Sequence, residues 1–308
     1  MSRDRRAWSL FLLAFALTVP TVHPIAAGLA DPSATEPEAT TGPLPLPPAT
    51  VDVYKGLGTW VDMYDAPPWR YPARAVHKMS AKGVKTLYLE TANYRKPKTG
   101  PIFRAAKVTR FLAAAEEAGI SVVAWYVPGF DNLRRDFRRA RAAIEFQTEE
   151  GLTFDSFALD IEATLVRDIE TRNRRARRLS RRIRDLVGED YVLGAIVPEA
   201  GALYWPSFPY RGLAYNHDVF LPMAYFSYRT SGARGVYAFV ADNITAVREA
   251  TGKPNIPVHL IGGIAEDSTP REVGAMVQAS RDHASFGLSL YDFPTTTRRQ
   301  WRKLAEVP

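Results

Sequence analysis

The stretch Phe154-Asp155-Ser156-Phe157-Ala158-Leu159-Asp160-Ile161-Glu162 decides the fold. It reads as one buried strand that ends in two acids. Side chains alternate across a strand, so Ser156, Ala158, Asp160 and Glu162 share one face and Phe157, Leu159 and Ile161 share the other. The second face is apolar and can pack on helices. The first starts small and finishes with two carboxylates, about 7 Å apart at the Cα level for a rise of about 3.3 Å per residue. Two acids at the carboxyl end of a buried strand suit a (β/α)8 barrel, whose active sites lie on that face.

The rest of the chain supports such a barrel. Strand-like and helix-like segments alternate from Val51 onward. Strands are expected at Gly58 to Tyr64, Val84 to Thr91, Ser121 to Val127, Phe154 to Glu162, Tyr191 to Val197, Asp218 to Phe226, Pro257 to Ile264 and Phe286 to Tyr291. Helices are expected around Tyr71 to Lys82, Ala105 to Ala118, Leu133 to Glu150, Arg167 to Arg184, Val236 to Thr251, Pro270 to Ala284 and Thr295 to Val307. Eight βα units in succession predict an α/β (β/α)8 TIM barrel rather than an open sheet. Gly83, Gly119, Gly151, Gly188 and Gly252 fall between a helix and the next strand, and Pro270 after Thr269 suits a helix first turn. Unit five is the weak one: Glu199 to Asn216 is aromatic and Pro-rich rather than helical.

The chain has 308 residues and 46% of them are hydrophobic. Met1 to Arg6 is basic, Ala7 to Val19 is apolar, and small residues end at Ala30, so 1–30 reads as a secretory signal peptide. Asp31 to Thr50 holds six prolines and few large apolar residues, which predicts an extended linker over 31–50. The barrel then occupies 51–308. Export makes the protein secreted or cell-wall-associated. With no cysteine in the chain, disulfides, thiolate metal sites and a lipid anchor on cysteine are excluded. A domain of this size can be held by its core alone.

The formal net charge is +7, and nine arginines share the eighteen residues 167–184. Ile169, Ala176, Leu179, Ile183 and Leu186 keep helical spacing through them, so this is an amphipathic helix with a basic outer face. That face is either simply solvated or drawn to an anionic cell surface. No nucleic-acid-binding motif is present, and a monomer is expected.

Several chemistries are missing. There is no Gly-rich dinucleotide fingerprint, P-loop, His-Glu-x-x-His or nucleophile-elbow serine, and the five histidines are scattered. No cofactor and no metal are expected. Acids, in contrast, sit at many strand ends: Asp62, Glu90, Asp160, Glu162, Glu199, Glu266 and Asp292. Glycoside hydrolysis uses such a supply, with one protonated carboxyl for the leaving oxygen and a second negative group for the oxocarbenium-like transition state. Close acids raise one another's pKa, which keeps one of them protonated. Trp60, Trp125, Tyr126, Tyr225 and Tyr291 fall at or near strand ends, where aromatic planes can stack on sugar rings. More aromatics, from Tyr204 to Tyr215, cluster in the loop before the sixth strand. The bland alternative is that the acids form salt bridges and the aromatics pack the loop.

These residues resemble the (β/α)8 glycosidases, and most nearly glycoside hydrolase family 18, the chitinase-like family. Its strand-four motif, Asp-Gly-x-Asp-x-Asp-x-Glu, aligns with Asp155 to Glu162. Asp155, Asp160 and Glu162 match, Ser156 replaces the Gly and Ala158 the middle Asp. The family's Met-x-Tyr-Asp/Asn is similar to Met223-Ala224-Tyr225-Phe226, and its strand-eight Trp corresponds to Tyr291. The resemblance implies Glu162 as general acid, Asp160 as the group orienting an N-acetyl substituent, and Tyr225 as a donor to that substituent. The substrate's acetamido oxygen would then be the nucleophile. Family 25 lysozymes also have a strand-four Asp-x-Glu and a strand-one Asp, which Asp62 matches.

The expected function is cleavage of a cell-wall or extracellular polysaccharide, peptidoglycan glycan included. Glu162, Asp160 and Tyr225 are the catalytic candidates. Asp62, Trp60, Glu90, Trp125, Tyr126, Glu199 and Tyr291 are the substrate-binding candidates. If the sugar lacks an N-acetyl group, Glu90 or Glu199 is the expected second carboxylate. The rival is a non-catalytic carbohydrate-binding barrel.

Overall fold

The structure, a computed structural model, describes residues 50–307. The expected signal peptide and all of the expected linker except Thr50 lie outside the described residues. Eight parallel strands close in chain order into a barrel. They are β1 (Gly56–Val61), β2 (Thr86–Asn93), β3 (Ser121–Val127), β4 (Ser156–Asp160), β5 (Leu193–Pro198), β6 (Val219–Met223), β7 (His259–Ile264) and β8 (Gly287–Tyr291). The helices are α1 (Ala66–Arg70), α2 (Pro72–Ser80), α3 (Ala105–Ala118), α4 (Leu133–Ile144), α5 (Ile169–Val187), α6 (Tyr210–Leu213), α7 (Gly232–Thr251), α8 (Pro270–Asp282) and α9 (Arg298–Leu304). Among the described residues no helix is long and apolar enough to cross a membrane.

Local chemistry explains where elements stop. α3 and α7 end at Gly119 and Gly252, both left-handed at φ 62° and 70°, a conformation that costs glycine nothing. Thr269 and Glu272 form a capping box at the start of α8, with Pro270 in its first turn. Asp168 caps α5 by accepting from the Thr171 N–H. α4 stops at Ile144, short of the expected Glu150, because Gln147 pairs with Thr153 in a small antiparallel turn. Unit five has only the four-residue α6. Residues 199–209 fold instead onto α5, where Trp205 donates to Asn173 at 2.6 Å and lies under the Arg172 guanidinium, 4.0 Å away.

The alternation expected of β4 is present. Phe157, Leu159 and Ile161 join the layer between barrel and helices, and Ala158 joins the barrel interior. The lower interior is filled by Tyr54, Tyr88 and His259. His259 Nδ1 donates to the Tyr54 carbonyl at 2.8 Å and lies 3.1 Å from the Tyr88 hydroxyl, while the Tyr54 hydroxyl meets Ser156 Oγ at 2.7 Å. Glycine makes this filling fit. A Cβ on Gly194 would come within 2.6 Å of the Tyr54 hydroxyl, and one on Gly58 within 2.6 Å of the Tyr88 ring. Trp60 lies over the group, stacked on Tyr88 with ring centroids 4.2 Å apart, and meets Trp125 edge-on at 5.7 Å.

Candidate active site

The carboxyl ends of the strands carry the acids. Asp62 follows β1, Glu90 lies within β2, Asp160 is the last residue of β4 and Glu162 stands two residues beyond it. Asp160 and Asp62 are buried, Glu90 is fully so, and Glu162 keeps part of its surface open. All four are electrostatically linked. Burial and the charges of Asp62 and Glu162 push the Glu90 carboxyl up to about 8. Burial, then Glu162 and Glu90, hold Asp160 well above the usual carboxylate range. Burial also raises Glu162, against the opposing pull of the Arg95 guanidinium.

Each acid has a distinct setting. Glu90 is braced: the Met63 N–H donates to one of its oxygens at 2.7 Å and the Asn93 amide to the other at 2.8 Å. Asp62 accepts the Tyr291 hydroxyl at 2.8 Å and the Tyr64 N–H at 2.7 Å. Asp62, Asp65 and Asp292 each place a carboxylate oxygen within 4.8 Å of the others. The Asp62 N–H donates to Asp65 at 2.9 Å and the Thr295 hydroxyl to Asp292 at 2.6 Å, while the Phe293 N–H donates to the Trp60 carbonyl at 3.1 Å and joins the end of β8 to β1. Asp160 Oδ1 has no hydrogen-bond partner among the described residues, nor has Trp125 Nε1. Both are buried, and an unpartnered polar atom there costs about 1–3 kcal/mol, which a polar ligand would recover.

Two phenols stand by the acid pair. Burial raises both Tyr225 and Tyr204, and the Glu162 and Asp160 charges raise both further. Held protonated, each is a hydrogen-bond donor. Tyr291 joins them, its ring centroid 6.2 Å from that of Tyr225 and 6.3 Å from that of Trp60.

Asp62, Glu90, Asp160, Glu162, Tyr225 and Tyr291 therefore share one mouth. Other expectations are corrected. Tyr126 lies on the outer face of β3, with its hydroxyl on Asp136 at 2.7 Å. Neighbouring residues of a strand face opposite ways, so Trp125 and Tyr126 could not both look inward. Trp60 is 1% exposed and forms the floor, leaving no face for a sugar to stack on. Glu199 is held in an ion pair by Arg229, 2.5 Å from its Nε. Asp155, the first acid of the strand-four motif, accepts the Val122 N–H at 2.7 Å and fastens β4 to β3.

Three residues at the site escaped the sequence reading as individuals. Asn93 braces Glu90, Arg95 faces Glu162, and Tyr204 faces the acid pair. The run Asn93-Tyr94-Arg95, at the end of the strand that carries Glu90, is the signal in the sequence for the first two.

No protein-family model and no curated protein sequence matches the chain. Solved structures do. The endo-β-1,4-mannanase of Thermotoga petrophila superposes with a TM-score of 0.61 at 12% identity, over 77% of this chain and 68% of that one. The spore cortex-lytic enzyme SleL of Bacillus cereus gives 0.57 at 9% identity, over 82% and 74%. A family 18 chitinase of Cycas revoluta, solved with allosamidin, gives 0.57 at 11% identity, over 81% and 98%. The shared fold is the (β/α)8 barrel. At such identities the likeness is one of fold, and chemistry has to be argued from the mouth itself.

Proposed function

We propose that this barrel is an exported glycoside hydrolase acting on a cell-wall or extracellular polysaccharide, with Glu162 as general acid. The observation that carries this reading is the pair at the end of β4. Asp160 and Glu162 leave the strand on the face that lines the mouth, with Tyr204 and Tyr225 near enough to feel both charges. Glu162 combines a raised pKa with partial exposure, so it keeps its proton to higher pH than a free carboxyl and can deliver it to a glycosidic oxygen.

The second role decides the substrate. A free carboxylate nucleophile or base is the usual requirement. Glu90 is poorly suited to it, because it is pushed up to about 8 and both its oxygens are engaged. Glu199 is engaged by the Arg229 guanidinium. Neither expected candidate offers an unengaged carboxyl oxygen pair. This supports a 2-acetamido sugar whose own carbonyl oxygen attacks the anomeric carbon. The protonated Asp160 carboxyl and the Tyr225 hydroxyl would orient it, as the chitinase-like resemblance implies. Export rests on the basic, apolar and small-residue succession of 1–30.

One observation favours the rival, a glycan-binding barrel without catalysis: the guanidinium of Arg95 lies beside Glu162. A single comparison separates the two. The protein and Glu162→Gln are assayed on chitin oligosaccharides, peptidoglycan, mannan and xylan. Hydrolysis that is lost in the variant while glycan binding persists establishes the enzyme, since Gln keeps the shape without the proton. Equal binding with no hydrolysis by either protein establishes the rival.

A further inference from the structure

Cations gather on one side of the mouth. β2 ends at Asn93, and the next five residues are Tyr94-Arg95-Lys96-Pro97-Lys98. Arg95, Lys96 and Lys98 are exposed. This rim is fastened rather than loose: the buried Arg139 of α4 donates to the Asn93 carbonyl at 2.7 Å and to the Lys96 carbonyl at 3.0 Å. The Lys96 ammonium lies 5.0 Å from the Tyr64 ring centroid.

The positive surface continues outward from the rim. α4 packs beside it through Arg139, and α5 packs beside α4, with Arg182 over the Phe137 ring at 4.0 Å and Arg175 donating to the Phe130 carbonyl at 2.8 Å. Arg138 of α4 and Arg178 and Arg181 of α5 are exposed. Among the described residues these three make no ion pair, whereas Arg135, Arg141 and Arg184 are matched to Asp131, Glu145 and Asp218. Arg138 is the sixth residue of α4, and Arg178 and Arg181 are the tenth and thirteenth of α5, so at about 1.5 Å per residue they descend the outside of the barrel from the mouth end, where each helix begins. The acids of the mouth offer no cation to a negatively charged substituent, whereas the rim does. Arginine forks suit planar carboxylates and phosphates.

We propose that the glycan bound by this barrel is anionic, with an acidic substituent held at the rim by Arg95, Lys96 and Lys98 and the adjoining polymer held along Arg138, Arg178 and Arg181. This rests on the glycan reading above and names its substrate class. Carboxylate and phosphodiester groups present the same chemistry to such a surface, and the probes distinguish them.

The test is equilibrium binding by the full chain at about 0.05 M and about 0.3 M salt, two conditions that differ in screening length by about twofold. The probes are an N-acetylglucosamine oligomer, a peptidoglycan glycan strand bearing lactyl carboxylates, poly(glycerol phosphate), neutral mannan and duplex DNA of matched length. The expected result is binding of one acidic polymer about tenfold tighter than its neutral counterpart at low salt, with the preference mostly lost at high salt. Preference for the carboxylated strand names carboxylate as the group read, and preference for poly(glycerol phosphate) names phosphodiester. Lys96→Gln/Lys98→Gln weakens the preference for short acidic oligosaccharides and keeps neutral binding. Arg138→Gln/Arg178→Gln/Arg181→Gln weakens only the long polymer. Equal binding of acidic and neutral glycans overturns the proposal and leaves the glycan reading standing. DNA bound as tightly as the acidic glycan also overturns it, as general polyanion adhesion. Failure to bind any glycan overturns the glycan reading together with this one.

Discussion

The Tyr291 hydroxyl donates a hydrogen bond to Asp62 at 2.8 Å, which joins the last strand of the barrel to the first at the mouth. Phe at position 291 keeps the ring and removes the donor, leaving a buried carboxyl oxygen without its hydroxyl partner. Tyr291→Phe should lower the unfolding free energy by about 1–3 kcal/mol. Urea unfolding of the two proteins at pH 7 checks it. An unchanged midpoint would mean that the seam does not rely on this bond.

Glu90 makes stability depend on pH in an unusual direction. Its carboxyl sits at about 8 in the fold, against an ordinary 4.5. Between those values the native state keeps a proton that the unfolded chain has released, so stability falls as pH rises. Below pH 4.5 the contribution is fully present, and by pH 8 most of it has gone. The loss is on the order of 4 kcal/mol, at about 1.4 kcal/mol per pH unit. Glu90→Gln should flatten this slope whatever its effect at one pH. Urea midpoints for both proteins at several pH values from 5 to 8 give the comparison.

His217 acts in the opposite sense. Burial and the Arg184 charge lower it from 6.5 to about 3. Below pH 6.5 the unfolded chain gains a proton that the fold refuses, so stability present above 6.5 is lost as pH falls toward 3. His217→Gln should therefore lose less stability between pH 7 and pH 4 than the unaltered protein. Between pH 4.5 and 6.5 the Glu90 and His217 slopes oppose each other, so Glu90→Gln and His217→Gln should tilt the stability profile in opposite directions there.

Tyr126 tests which face of β3 matters for ligand. Its hydroxyl supports Asp136, which also accepts the Phe130 N–H at 2.9 Å. Tyr126→Phe should cost about 1–3 kcal/mol of stability and leave glycan affinity unchanged. Trp125→Phe, one residue earlier, should weaken binding, because it removes the unpartnered indole N–H under the mouth. Reversal of this pattern in a titration with the same oligosaccharide would assign the mouth to the wrong face.

Arg95 pulls the Glu162 pKa downward. Arg95→Gln should raise it, and the alkaline limb of any hydrolytic pH profile should move up with it. Carbon-13 NMR of the Glu162 carboxyl reads the same shift directly, even in a protein without activity. A shift in the other direction would remove Arg95 from the electrostatics of the acid.

The strand-four reading depends on a period of two, and Ser156 and Ala158 face the barrel interior as that period predicts. The same rule applied to β3 would have separated Trp125 from Tyr126; closeness to a strand end is a weaker guide than parity. Trp60 has the right parity, but its depth depends on Tyr88 beneath it, a residue from the next strand. Glu199 found Arg229 thirty positions away, and no local pattern encodes that pairing. The helix of unit five was doubtful in the sequence for the reason seen in the fold: Trp205 and its neighbours pack on α5 instead of extending a helix. Arg95 and Tyr204 belong to loops, where no periodicity reports direction.

The filling of the lower barrel by Tyr54, Tyr88 and His259, admitted by Gly58 and Gly194, has a kinetic meaning. It makes the mouth a blind cup. A polymer cannot be threaded through and must lie across the opening. Whatever binds there departs by the way it came, so release competes with the next arrival at a single gate. In such an arrangement the shape of the rim governs both how long a strand stays and where along its length it is met.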